Sequence, residues 1–168
     1  VKAFGNVLRL KQSELNPDET IKVFPLLDEK ATKNNILETL RVFAGTRKEN
    51  SPLPYSEQPE KVQPEDTVIV YFSGHGFSHQ KRFYMIPHDM GYAGKRKGLT
   101  DEEFEVLAKS SVSDLELEAA FRGVDSKNLL LIIDACNSGQ AIEAEDKRQG
   151  PMNSKGLAQL AYEKGMYV

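Results

Sequence analysis

Five apolar residues in unbroken succession, Leu129-Leu-Leu-Ile-Ile133, run straight into Asp134-Ala-Cys-Asn-Ser-Gly139, which carries the chain's only cysteine. A short continuous run of this kind, closed by a small-residue turn, predicts a central strand of a parallel sheet with both faces covered. The functional edge of such a sheet lies at the carboxyl ends of its strands, where Asp134 and Cys136 fall. Thr67-Val-Ile-Val-Tyr-Phe-Ser-Gly-His-Gly76 repeats the design, a β-branched and aromatic strand ending in a histidine between two glycines. If the two strands are neighbours, His75 and Cys136 arrive at the same edge.

Those two residue types have a chemical reason to meet. A free thiol has a pKa of about 8.5 and is only slightly ionised at neutral pH. A nearby imidazole supplies the base, or pairs with the thiolate, and then protonates the leaving group. The glycines flanking His75 are expected to let the backbone turn sharply and a substrate approach closely. The peptide N–H groups of Gly76 and Cys136 are candidate oxyanion donors.

The rest of the chain reads as an alternation of helices and strands. Residues 1–11 have a helical apolar face, and Thr20–Leu27 alternates like a strand in which Pro25 argues for an edge or an end. Thr32 is the expected N-cap of a helix through Ala44, with Ile36, Leu37, Leu40 and Phe43 on one face and Gly45 as its stop. Residues 46–65, with four prolines and much charge, read as a solvated surface loop. Arg82–Ile86 reads as a short strand or hairpin arm, and Lys95–Lys109 as a loop with a short helix. Ser113-Asp-Leu-Glu116 matches a capping box, opening a helix whose apolar face is expected to comprise Leu115, Leu117, Ala119 and Phe121. Leu157, Leu160 and Ala161 suggest one more short helix, and Met166-Tyr-Val168 the start of a strand. Strand, helix, strand in this order implies right-handed crossovers in a parallel sheet.

Several function classes are disfavoured. At 168 residues and 39% hydrophobic content the chain fits one domain with a substantial core. No apolar segment has the length of a membrane span, and one cysteine excludes an internal disulfide. A net charge of −3 with interspersed signs gives no electrostatic footprint for nucleic acid. Val1-Lys-Ala-Phe is not a signal peptide, so a cytoplasmic location is expected. Helical spacing at the first residue and a strand just beginning at the last suggest a piece of a longer polypeptide. His79, His88 and Asp89 lack a recognisable metal-ligand spacing.

Ser-Gly-His-Gly after one strand and Asp-Ala-Cys-Asn-Ser-Gly after a later one resemble the catalytic dyad of the caspase-like cysteine peptidases. The caspase signature has Gln-Ala-Cys with a histidine roughly 50 residues upstream; here the cysteine follows Asp-Ala and the histidine lies 61 residues upstream. An Asp two before the cysteine is the pattern of metacaspases and bacterial orthocaspases, although many metacaspases have His where this chain has Asn137. The resemblance spans most of the chain, and its specificity rests on the two motifs.

The resemblance implies an α/β caspase-like sandwich, a mostly parallel central sheet flanked by helices. Residues 1–168 would form a peptidase domain incomplete at both ends, its family counterparts beginning with a further strand and continuing with others. It implies Cys136 as nucleophile, His75 as base and acid, and protein substrates, with the remainder of a longer polypeptide or a processed partner chain as partner. Ser73 and Asp134 are the implied pocket for the residue before the scissile bond. A carboxylate there favours Arg or Lys over Asp, and in a partly buried pocket an unpaired Asp134 costs about 3–5 kcal/mol, a discrimination of a hundredfold or more. Residues 137–155 correspond to the connection often cut during maturation, and the dibasic Lys147-Arg148 is the expected place. No cofactor is required for the chemistry. Many metacaspases require calcium as an activator, to which Glu143, Glu145 and Asp146 are candidate contributors, though an acidic run is more often only a solvated surface.

Two rival classes remain in view. A catalytically silent regulatory or scaffold module would keep the fold, but both dyad residues are present. An unrelated hydrolase or nucleotide-binding domain would need a G-x-S-x-G elbow or a phosphate loop, and the chain has neither.

Overall fold

A computed structural model describes residues 2–15, 20–50, 52–80, 82–91, 99–137, 158, 161–162 and 165–168. Its centre is a pair of long strands, β1 (Thr67–His79) and β4 (Asn128–Asn137), which run parallel in register over ten successive residue pairs from Thr67↔Asn128 to Gly76↔Asn137. Partners in a ladder share a face and successive residues alternate, so the register sorts the side chains without ambiguity. Val68, Val70 and Phe72 stand beside Leu129, Leu131 and Ile133 on the face that carries the main core.

Two helices cover that face. α2 (Lys33–Phe43) starts at Thr32, whose hydroxyl accepts the Asn35 N–H at 3.1 Å, and Gly45 at φ 68° takes the chain away from its end. α4 (Asp114–Arg122) starts with a complete capping box between Ser113 and Glu116. Its buried stripe is Leu117, Ala120 and Phe121, whereas Leu115 and Ala119 are exposed. The expected face was therefore rotated: three- and four-residue spacing from Leu117 selects Ala120 and Phe121. Lys33, at the first turn of α2, binds this layer together. Its ammonium donates to the carbonyls of Lys109 and Ser111 at 3.0 and 2.7 Å and pairs with Glu116 at 2.9 Å. Burial pushes the Glu116 carboxyl up, but Lys33 and the Ser113 donors outweigh it and hold it below the usual range.

The opposite face is covered in two places. α1 (Lys2–Leu15) brings Phe4 against Tyr71, ring centroids 4.7 Å apart. It sits close to residues 20–27, since a Cβ on Gly5 would lie 3.3 Å from a Val23 methyl. Further along β1, Phe77 and Tyr84 stack at 4.8 Å and form a second cluster with Phe104 and Leu107 of α3 (Asp101–Ser110).

The sheet is mixed rather than mostly parallel. β2 (Arg82–Met85) pairs antiparallel with the end of β1, and the short β3 (Val112–Ser113) pairs antiparallel with β2, giving the order β3-β2-β1-β4. Only two residues separate β1 from β2, and no parallel crossover fits in that length. A parallel bridge joins Tyr167 to Leu130 on the other side of β4, where the sequence suggested a new strand. Thr20–Leu27 is not a strand here; it leads into a short 3-10 turn at Asp28–Lys30. The stretch 46–65 forms no helix or strand among its described residues, yet it is not merely a solvated linker. Leu53 and Val62 are buried, and the Gln58 amide clamps Leu53 through both its N–H and its carbonyl. The helix suggested at 157–161 falls largely outside the described residues, which include helical Ala158, Ala161 and Tyr162.

Candidate active site

The parallel register sets Ser73 beside Asp134 and His75 beside Cys136. All four positions are on one face of adjacent strands, the face opposite the main core. Neighbouring strands are about 4.8 Å apart, so the His75 and Cys136 backbones are separated by a single strand spacing. The Cys136 side chain lies outside the described residues; Ser73, His75 and Asp134 are exposed. Both strands continue through these residues instead of ending before them. Among the described residues the site is a stretch of uncovered sheet face. On one side of it α1 covers Tyr71, and on the other α3 covers Phe77 and His79.

The glycines beside His75 do not make the expected turn. Neither Gly74 nor Gly76 has positive φ, and the chain makes no turn at either. A Cβ on Gly76 would fall 2.8 Å from the Phe83 ring and 3.1 Å from the Tyr84 carbonyl oxygen. The missing side chain thus admits Phe83 to the core side of the sheet. The His75 carbonyl accepts the Ile86 N–H at 2.9 Å, which anchors the histidine's backbone to the segment following β2.

Asp134 has two hydroxyl neighbours. Its Oδ2 accepts from Tyr71 at 3.2 Å and from Ser73 at the longer distance of 3.5 Å. Sequence reasoning paired Ser73 with Asp134 and missed Tyr71. The signal was available, since Tyr71, Ser73 and His75 alternate along one strand and must share a face.

Other sequence candidates separate from this cluster. Asp89 accepts the backbone N–H of Lys33 at 2.8 Å. His79 stacks on Phe104 at 4.7 Å, with Nε2 3.9 Å from Glu105. Among the described residues no group of three or more His, Cys, Asp or Glu side chains could hold a metal. Glu143, Glu145, Asp146, Lys147 and Arg148 lie outside the described residues. A cavity of about 590 Å³ between α1, residues 20–30 and residues 54–57 is lined by none of the four site residues.

A family model described as "Caspase domain" matches residues 22–166, most of the chain. The chain belongs to the caspase-domain family. No curated protein and no solved structure gives a significant match. A caspase domain is a cysteine-peptidase domain that acts on proteins, and the matched span includes β1, β4 and the four positions Ser73, His75, Asp134 and Cys136. It leaves out α1, although Phe4 of that helix touches the same face. No helix among the described residues is long and apolar enough to cross a membrane.

Proposed function

We propose that this caspase-domain chain is an active cysteine endopeptidase of the metacaspase or orthocaspase branch, with Cys136 as nucleophile and His75 as its base. The observation that carries the reading is the direct register pairing of His75 with Cys136 on the open sheet face. In the reaction His75 takes the thiol proton and the thiolate attacks the scissile carbonyl. The tetrahedral intermediate expels the amine, which leaves with the proton from His75, and water then hydrolyses the acyl-enzyme. The Gly76 and Cys136 N–H groups are assigned to the oxyanion, and Asp134 with Ser73 to an Arg or Lys side chain before the scissile bond. Apart from the hydrolytic water, every step uses protein groups, and calcium is assigned as an activator with no part in the chemistry. Its effect is read by adding calcium to chelator-treated protein.

An electrophilic peptide probe with Arg at the reacting position tests the reading directly. It is expected to label the parent at Cys136 with unit stoichiometry and to leave His75→Ala essentially unlabelled. Absence of labelling in the parent, under conditions where the protein is folded, would identify a silent module instead.

The polar segment after Cys136 is assigned as a self-processing loop, cut after Lys147 or Arg148. Intact-mass measurements are expected to show two fragments from the parent and a single uncut chain from Cys136→Ala. Equal masses under activating conditions would reject self-cleavage.

A further inference from the structure

We infer that Tyr71 is a positioning residue for the Asp134 carboxylate, held in place by Phe4 of α1. The inference rests on the reading of Asp134 as the carboxylate that receives a basic side chain. It adds a second strand residue and a helix outside the matched caspase span to the determinants of specificity.

Three observations lead to it. The register partner of Tyr71 is Ile132, so its hydroxyl reaches along the sheet, past Ser73, to Asp134 Oδ2 at 3.2 Å. A tyrosine needed only for packing would make its ring contact and leave the hydroxyl to water, as a phenylalanine would serve equally. Second, both hydroxyl contacts fall on Oδ2, and among the described residues no hydrogen bond is made to Oδ1. One oxygen is contacted by protein donors while the other has no hydrogen bond among the described residues, an arrangement that leaves it for an incoming cation. Third, the Tyr71 ring is braced at 4.7 Å by Phe4, with an interplanar angle of 35°. α1 is itself seated close to residue 23 through Gly5. A carboxylate on an exposed strand rotates freely unless something holds it, and ordering it in advance lowers the entropy lost when a substrate docks.

The experiment uses two peptides that differ only in Arg or Leu before the scissile bond. They are tested on the parent, Tyr71→Phe, Phe4→Ala, Asp134→Ala and the Tyr71→Phe/Asp134→Ala double variant. Tyr71→Phe keeps the ring against Phe4 and removes only the hydroxyl. It is expected to raise KM for the Arg peptide about fivefold, the size of one hydrogen bond, with kcat within about twofold and the Leu peptide unchanged. Phe4→Ala should move KM for the Arg peptide in the same direction. In the Asp134→Ala background Tyr71→Phe should have no further effect, because the group it positions is gone. Binding of both peptides to Cys136→Ala protein, with and without Tyr71→Phe, gives the same comparison without turnover. Equal losses on the Arg and Leu peptides, or a Tyr71→Phe effect that persists without Asp134, would overturn the positioning role. If Asp134→Ala removes the Arg preference and Tyr71→Phe changes nothing, the role of Tyr71 fails alone. If Asp134→Ala leaves the preference intact, the reading of Asp134 fails and takes this inference with it.

Discussion

Replacing Cys136 by Ala, or His75 by Ala, is expected to lower kcat by about 10⁴-fold or more, because nucleophile and base act as one unit. The double variant should be hardly worse than either single one, since losing one partner already disables the other. His75 is exposed on the sheet face, and exposed substitutions of this kind change stability by only about 0.5 kcal/mol. Thermal melting of the variants beside the parent therefore separates loss of chemistry from loss of fold. Measurable turnover by Cys136→Ala, or multiplicative losses in the double variant, would remove Cys136 and His75 from their roles.

The second large effect concerns the residue before the scissile bond. The parent is expected to cleave after Arg about ten- to a hundredfold better than after Leu, and after Asp least of all. Charge-assisted hydrogen bonds to a carboxylate contribute about 1.5–3 kcal/mol, which sets that range. It lies below the sequence-based expectation for a reason visible in the structure: Asp134 is exposed and already accepts from Tyr71 and Ser73. The desolvation penalty of a buried unpaired carboxylate does not apply to the free protein. Arg should exceed Lys, because a planar fork can engage both oxygens while an ammonium is a point charge. Rates for Arg, Lys, Leu and Asp peptides on the parent and Asp134→Ala measure this. A preference for Asp, or an Arg preference that survives the substitution, would show that Asp134 does not set the specificity.

The two long strands were legible because their apolar runs are unbroken, and the helices because Thr32 and Ser113 carry recognisable caps. α3 was only half seen, although Thr100 and Glu103 spell the same capping box that identified α4; the glycine- and lysine-rich stretch before it masked the signal. Thr20–Leu27 has a strand's alternation, but alternation states only which side chains share a face, and pairing depends on a partner that local sequence does not name. The glycines around His75 were read as a turn because glycine most often serves turns. What Gly76 actually provides, room for Phe83, comes from a residue on another strand. Strand alternation already placed Tyr71 on the face of Ser73 and His75, but an aromatic residue inside a strand is ordinarily core, and that its hydroxyl reaches Asp134 follows only from the pairing with β4.

The constant offset in the β1–β4 ladder bears on how the protein folds. Each of its ten pairs joins residues 61 positions apart, so the ladder cannot begin until a long loop has closed. Non-local pairing of this kind slows folding, because chain entropy is lost before any contact compensates. A slip of one residue would set His75 beside Ala135 or Asn137 and turn every β4 side chain to the other face, exposing Leu129 and Leu131. Packing of the core and assembly of the site are therefore one cooperative event. Until the ladder forms, nothing holds His75 beside Cys136, so on the proposed reading an unfinished chain carries no assembled dyad.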